Sequence, residues 1–285
     1  MILYHYCSSQ TFLRIVGGPS IRLSSLAQSN DSMEGKLVSE SLARLGTRDT
    51  LSAAEITRMQ GDFGIMEDLF GGLGFCLSEE GDLLSQWRGY ADDGTGISIG
   101  FSKPYLDELV ESDLTEADTK IALSKVEYEP SAQDELVKPA FEEMKKRMRG
   151  SDWQYQTLLT LGGLTTEERQ AQEKKRFAAN MNISLVALSL LDKLYLLKSP
   201  GFREEREWRL LTHKRKGSVS VENYRATLDQ VIPFTTVKLS PLSHPAIVRV
   251  ILGPKHRTPA NVVRELLESA GFPNVEVARS ESTYR

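Results

Sequence analysis

The residues of this chain best able to do chemistry lie in three short segments far apart in sequence. Glu204-Glu205-Arg206-Glu207-Trp208-Arg209 sets carboxylates two residues apart, and on an extended strand Glu205, Glu207 and Arg209 share one face. Two like charges at that spacing destabilise a sheet unless Arg209 or a ligand compensates them. The segment is therefore either a working carboxylate pair or a solvated strand face. Leu3-Tyr4-His5-Tyr6-Cys7-Ser8 alternates so that His5 faces one side and both tyrosines the other. A surface histidine over packed aromatics would explain it without any ligand. Ser85-Gln86-Trp87-Arg88-Gly89-Tyr90 gives Trp87 and Tyr90 a common helix face, a spacing that serves core packing as readily as ligand stacking.

Other chemistries lack their signatures. The sequence has no Cys-x-x-Cys, no His-Glu-x-x-His, no Walker-type glycine loop and no Gly-x-Ser-x-Gly elbow. Its four histidines, His5, His213, His244 and His256, are not at metal-ligand spacing, so no metal is expected. A net charge of -4 argues against a general binder of phosphate backbones. Two cysteines, Cys7 and Cys76, and the absence of a signal-peptide pattern predict reduced thiols and a cytoplasmic location. The most apolar run, 184–197, is interrupted by Ser189, Asp192 and Lys193, is too short to span a bilayer and is predicted to be a buried helix.

These segments need a frame. Residues 2–6 read as a strand, Ser8 or Ser9 as the N-cap of a helix carrying Phe12, Leu13, Ile15 and Val16, and 21–25 as a second strand. Helices are predicted over 36–45, 53–59 and 82–90, and strands over 75–78, after Gly71, Gly72 and Gly74, and over 97–101. From 103 to 200 the pattern is helical and charged, with one strand at 125–128, a second charged helix at 167–176 and a joint at 162–166. Strand patterns return at 208–212, 219–221, 237–239 and 247–252, and a helix at 260–270 precedes a final strand at 275–278. Strands bracketing a helical middle predict a single α+β domain over 1–285 with a helical insertion at about 103–200.

A family resemblance adds to this reading. Leu3 to Ser8, Asn30-Asp31-Ser32-Met33-Glu34, Ser85 to Tyr90 with Gly96 and Gly100-Phe101, Glu205 to Arg209, Ile251-Leu252-Gly253-Pro254 and Ser282-Thr283-Tyr284-Arg285 resemble, in order, successive blocks of the bacterial domain-of-unknown-function family 2971. The opening strand-helix-strand is similar to the start of the ADP-ribosyltransferase fold, in the branch whose active site uses a histidine, a tyrosine and an acid. The resemblance implies an ADP-ribosyltransferase-like split two-sheet core with NAD, as substrate, in the cleft between the sheets. It implies catalytic roles for His5 on the adenosine ribose, Tyr90 on the nicotinamide and Glu207 as the acid. His5, Tyr6, Arg22, Ser24, Tyr90 and Glu205 would bind the dinucleotide. The pattern departs at Cys7, where threonine is common. The implied function is transfer of ADP-ribose from NAD to a protein or nucleic-acid acceptor, in a toxin or phage-defence setting with an antitoxin or chaperone partner and no membrane. NAD hydrolysis and a non-catalytic nucleotide-binding sensor are the alternatives.

Overall fold

A computed structural model of the chain describes residues 1–28, 35–112, 120–150, 182–216, 223–226 and 229–284, with 165, 167, 170 and 174 between them. The block at 30–34, the strand expected at 219–221, and most of the helix at 167–176 and the joint at 162–166 lie outside the described residues. What is described is a mixed α/β structure around one branched sheet.

Strand β1 (Ile2–Cys7) leads into helix α1 (Ser9–Gly17), whose first turn is capped by Ser8 Oγ accepting from the Thr11 amide at 3.1 Å. Strand β2 (Ser20–Ser25) follows, then helices α2 (Leu37–Arg48) and α3 (Ala53–Leu69). Strand β3 (Phe70–Ser78), helix α4 (Leu84–Tyr90), strand β4 (Ile97–Ser102), helix α5 (Lys103–Glu111), strand β5 (Ala122–Lys125) and helix α6 (Pro130–Gly150) come next. The last part supplies β6 (Glu207–Arg215), β7 (Asn223–Ala226), β8 (Val231–Lys238), β9 (Ile247–Leu252), α7 (Ala260–Ser269) and β10 (Glu276–Arg279).

β3 is the branch point. One of its edges pairs with β6 from Phe70↔Arg215 to Ser78↔Glu207, leaving the other edge for everything else. That second edge holds β2 at Leu73 and Gly74, and β1 only at Ser78. β1 continues through β4 and β9 to β10, and β2 through β8 to β7. Between the two attachments β1 and β2 splay apart, and the backbone of Phe75 to Leu77 faces the gap.

Apolar alternation on β3 and β6 sends side chains to two cores. Leu73, Phe75, Leu77 and Leu210 join α1, α5 and α7 in the larger one, built on Phe12, Ile15, Leu106 and Leu267. Cys76 and Leu211 face the second, formed by α2, α3, α6 and residues 183–197. A third, small cluster sets α4 against β1 and β9 through Trp87, Ala91, Tyr4, Tyr6 and Ile251. The helical layer thus draws on 37–69 as well as on the segment expected at 103–200, while α5 at the start of that segment packs into the larger core. In place of a helix over 184–197, residues 182–188 are helical, a turn follows, and Leu191–Leu194 adds one more helical turn; Ile183, Ala187, Leu190 and Leu194 are buried. No helix among the described residues is long and apolar enough to cross a membrane.

The glycines expected to precede the third strand lie inside it. A Cβ on Gly72 would run into the Tyr195 ring, and one on Gly74 would meet Leu26 Cδ1 at 2.8 Å, so these positions let the helical layer sit directly on the backbone. Gly72→Ala is expected to cost about 1–3 kcal/mol through overpacking. Gly61→Ala, in the open on α3 with nothing near its Cβ, should instead add roughly 0.5–1 kcal/mol. Urea unfolding of the two variants reads both; equal effects would contradict the close approach.

Candidate active site

The gap between β1 and β2 opens into a cleft of about 630 Å³. His5, Tyr6, Arg22, Ser24, Tyr90, Glu205 and Glu207 all line it, brought there from β1, β2, α4 and the chain around the start of β6. Seven positions separated by up to 202 residues are therefore gathered by the fold (207 − 5).

His5 closes part of the gap in the sheet. Its Nδ1 lies 2.8 Å from the Cys76 carbonyl, on the stretch of β3 that neither β1 nor β2 pairs, and its ring stacks on Phe75 at 4.0 Å. A carbonyl can only accept, so Nδ1 carries the proton and donates, and Nε2 is the acceptor. Burial lowers the His5 pKa to about 4, and the charges of Arg14 and Arg225 push the same way, so the ring is neutral near pH 7. Nε2 has no hydrogen bond among the described residues and can accept one from a hydroxyl.

The acidic segment departs from the expected strand. Glu205 ends a short 3-10 turn, and Arg206 takes a left-handed conformation (φ 44°, ψ 51°) before β6 starts at Glu207. Strand alternation consequently holds for Glu207 and Arg209 but not for Glu205. The two carboxylates still meet, because Lys198 Nζ lies 2.5 Å from Glu205 Oε2 and 3.1 Å from Glu207 Oε2. Arg209 grips Glu207 with both arms, Nε to Oε1 at 2.8 Å and Nη2 to Oε2 at 3.0 Å, and its Nη1 donates to the Tyr195 carbonyl at 2.7 Å. All four side chains are buried, and their formal charges cancel. Burial opposes ionisation of Glu207, but Arg209 and Lys198 outweigh it and bring its pKa to about 2. Burial likewise opposes the charge on Lys198, yet the two carboxylates hold its pKa above the usual value, so it is a fixed cation and no nucleophile.

Both Glu207 oxygens are taken. Among the described residues Glu205 Oε1 instead meets only the Tyr90 hydroxyl, which donates at 3.3 Å. Tyr90, at the end of α4, is 39% exposed and presents its ring to the cleft; burial and then Glu205 raise its pKa. The neighbouring aromatics have other duties. Trp87 is fully buried with Nε1 donating to Asp82 at 2.6 Å, which removes it as a stacking surface. Tyr6 donates to the Glu80 carbonyl and accepts from the Leu83 amide, both at 2.8 Å, so its hydroxyl anchors the loop before α4. Burial pushes the Cys7 thiol up to about 12, so it stays protonated.

Sequence reasoning missed Lys198, Phe202, Arg14 and Arg225. Lys198 ends the apolar run Tyr195-Leu196-Leu197, and a lone lysine there was its only signal. Phe202 carries the Lys198 ammonium over its ring at 4.6 Å. Arg14 sits on a helix whose apolar stripe alone was read, and Arg225 on a strand recognised only from its pairing with β8.

The two titrating groups give the fold an acid limit. Glu207 has a folded pKa of about 2 against 4.5, so its stabilisation is complete above 4.5 and is lost as pH falls toward 2. His5 has a folded pKa of about 4 against 6.5, so folding resists its protonation and stability also declines as pH falls from 6.5 toward 4. Burial lowers His213 and His256 as well, so the His5 share is read by difference. Urea melts of wild type and His5→Asn between pH 3 and about 8 should show a flatter profile for the variant in the upper window. Parallel profiles would mean His5 is not held neutral.

No curated protein and no solved structure gives a significant match to the chain. Residues 86–210, which carry Tyr90, Lys198, Glu205, Glu207 and Arg209 but not His5, match the model of a family described as "Protein of unknown function (DUF2971)", and that match supports the DUF2971 family.

Proposed function

We propose that the protein is an NAD-consuming enzyme that transfers ADP-ribose to a macromolecular acceptor. The observation that carries this reading is the meeting of His5, Tyr90, Glu205 and Glu207 in one cleft at the parting of a sheet. That parting fits an ADP-ribosyltransferase-like arrangement, with NAD lying between β1 and β2.

The chemistry needs few groups. The bond between nicotinamide and ribose C1′ breaks, its electron pair leaves with nicotinamide, and positive charge spreads over C1′ and the ring oxygen, as in glycoside cleavage. The acceptor then bonds to C1′ and loses its proton. A fixed carboxylate beside the sugar stabilises the cation. Glu205 is suited to face the substrate, because among the described residues its Oε1 has only a long hydrogen bond from Tyr90. Glu207, expected by resemblance to be the acid itself, is suited to a supporting part: clamped by Arg209, it fixes Lys198 and through it Glu205. The Tyr90 ring can cover the nicotinamide, and His5 Nε2 can accept from a ribose hydroxyl. A toxin or defence role with an antitoxin or chaperone partner suits such an activity.

Purified protein mixed with NAD labelled in the adenosine half, with and without cell lysate, tests the reading. Label on a macromolecule is the expected result; free ADP-ribose would make the protein an NAD glycohydrolase. Bound but unchanged NAD would make it a nucleotide sensor and end the transferase reading.

The carboxylates separate by variant. Glu205→Gln is expected to lower turnover by about a hundredfold, roughly 2.7 kcal/mol of transition-state stabilisation, with NAD affinity retained and the melting temperature lowered less than in Glu207→Gln, because Lys198 and Arg209 both keep Glu207. Glu207→Gln should lower stability as well, by about 3–5 kcal/mol, because Arg209 is left buried against a neutral partner while Lys198 keeps Glu205. A folded, inactive Glu207→Gln beside an active Glu205→Gln would return the acid role to Glu207. Tyr90→Phe should keep most activity and Tyr90→Ala lose it, since the ring face is what nicotinamide requires. Equal losses would assign the function to the hydroxyl on Glu205.

A further inference from the structure

Three arginines enter the cleft, and although Asp92 and Asp229 line it too, none of the three is in an ion pair among the described residues. Arg14 comes from α1, Arg22 from β2 and Arg225 from β7, and each is half-buried. Ser24 pairs with Phe234, Arg22 with Thr236 and Arg225 with Ile232, so Arg22, Ser24 and Arg225 lie on one face of β2, β8 and β7. Arg22 stacks over the Phe234 ring at 4.3 Å, and Arg225 Nε donates to Ser24 Oγ at 3.2 Å. Neither contact supplies negative charge. Among the described residues no ion pair reaches any of the three. Their mutual repulsion is felt: burial first, and then Arg22 and Arg225, lower the pKa of Arg14, while burial and then Arg22 lower that of Arg225.

In a chain with more acidic than basic residues, three guanidiniums gathered in a cleft with no ion pair among the described residues hold a place for an anion. We propose that Arg14, Arg22 and Arg225, with Ser24, form the diphosphate-binding subsite of the cleft, which takes the two linked phosphates of a nucleoside diphosphate ester. The identification as part of an NAD site rests on the proposed function, whereas the affinity for a diphosphate does not. A diphosphate fits the cluster better than a single carboxylate does. It carries two or more charges and offers oxygens along its length to guanidinium forks arriving from a helix and two strands. The carboxylate pair lies elsewhere in the cleft, by α4 and the start of β6, so the anion and the sugar cation are served by separate walls.

Calorimetric titration of the full chain with ADP, inorganic pyrophosphate and adenosine tests the subsite. ADP is expected to bind at least about tenfold tighter than adenosine and to weaken as salt rises. The double substitution Arg22→Gln with Arg225→Gln should weaken ADP and pyrophosphate by about tenfold or more and leave adenosine unchanged, while Glu205→Gln should leave pyrophosphate binding intact. If the double variant is unfolded, Arg14→Gln, on the half-exposed face of α1, gives the same readout. ADP bound no tighter than adenosine, or bound equally by folded arginine variants, would overturn the subsite. Arginine-dependent ADP binding in a protein that never consumes NAD would uphold the subsite while sinking the transferase reading.

Discussion

β3 has two edges, and β6 uses one of them over the whole strand. Two further strands must share what remains, so each is held at one end only and the sheet has to part between them. An unpaired stretch of strand costs stability unless its backbone groups find partners. His5 supplies one by donating to the Cys76 carbonyl. The residue that makes the parting tolerable is thus the one that equips it, because donation through Nδ1 leaves Nε2 as an acceptor in the cleft. Burial keeps the ring neutral, which both roles require.

The second constraint is the mass of charge beside the parting. Glu205, Glu207, Lys198 and Arg209 are buried on the face of β3 and β6 covered by the helical layer. Removing any one partner leaves an uncompensated charge in a poorly solvated place, which is far more costly than losing a surface ion pair. The network therefore locks the corner at Arg206, whose left-handed backbone would otherwise be unfavourable for a non-glycine residue. That corner takes Glu205 off the strand and turns it toward Tyr90.

Local signals were the legible ones. Alternation around His5, the Ser8 cap and the shared face of Glu207 and Arg209 depend on neighbours within a few residues, and all three are present. The start of β3 was hidden because its glycines answer to Leu26 and Tyr195, which are distant in sequence. Arg206 gave no cue, since nothing in its side chain favours positive φ. Lys198 looked like the polar end of an apolar helix, and only the return of the chain at 205–207 turns it into a counter-ion. Arg14 and Arg225 carried no signal of their own in the sequence; the pairing of β2, β8 and β7 is what sets Arg225 beside Ser24.

The two walls of the cleft differ in how they hold charge, and the difference bears on what each can do. At the acidic wall every carboxylate has a cation, so the site is near neutral at rest and stabilises only a charge that develops close to it. A resting cation would meet Lys198 and Arg209 as well as the two acids. At the arginine wall nothing described neutralises the guanidiniums, so the attraction for an anion is present before any reaction begins. On the proposed reading, such an arrangement would separate binding from catalysis: the arginines would draw the ligand in, and the compensated charge would act on the transition state. Tight ground-state binding at the acidic wall would not speed the proposed reaction, and the paired geometry of Glu205, Lys198 and Glu207 would limit such binding.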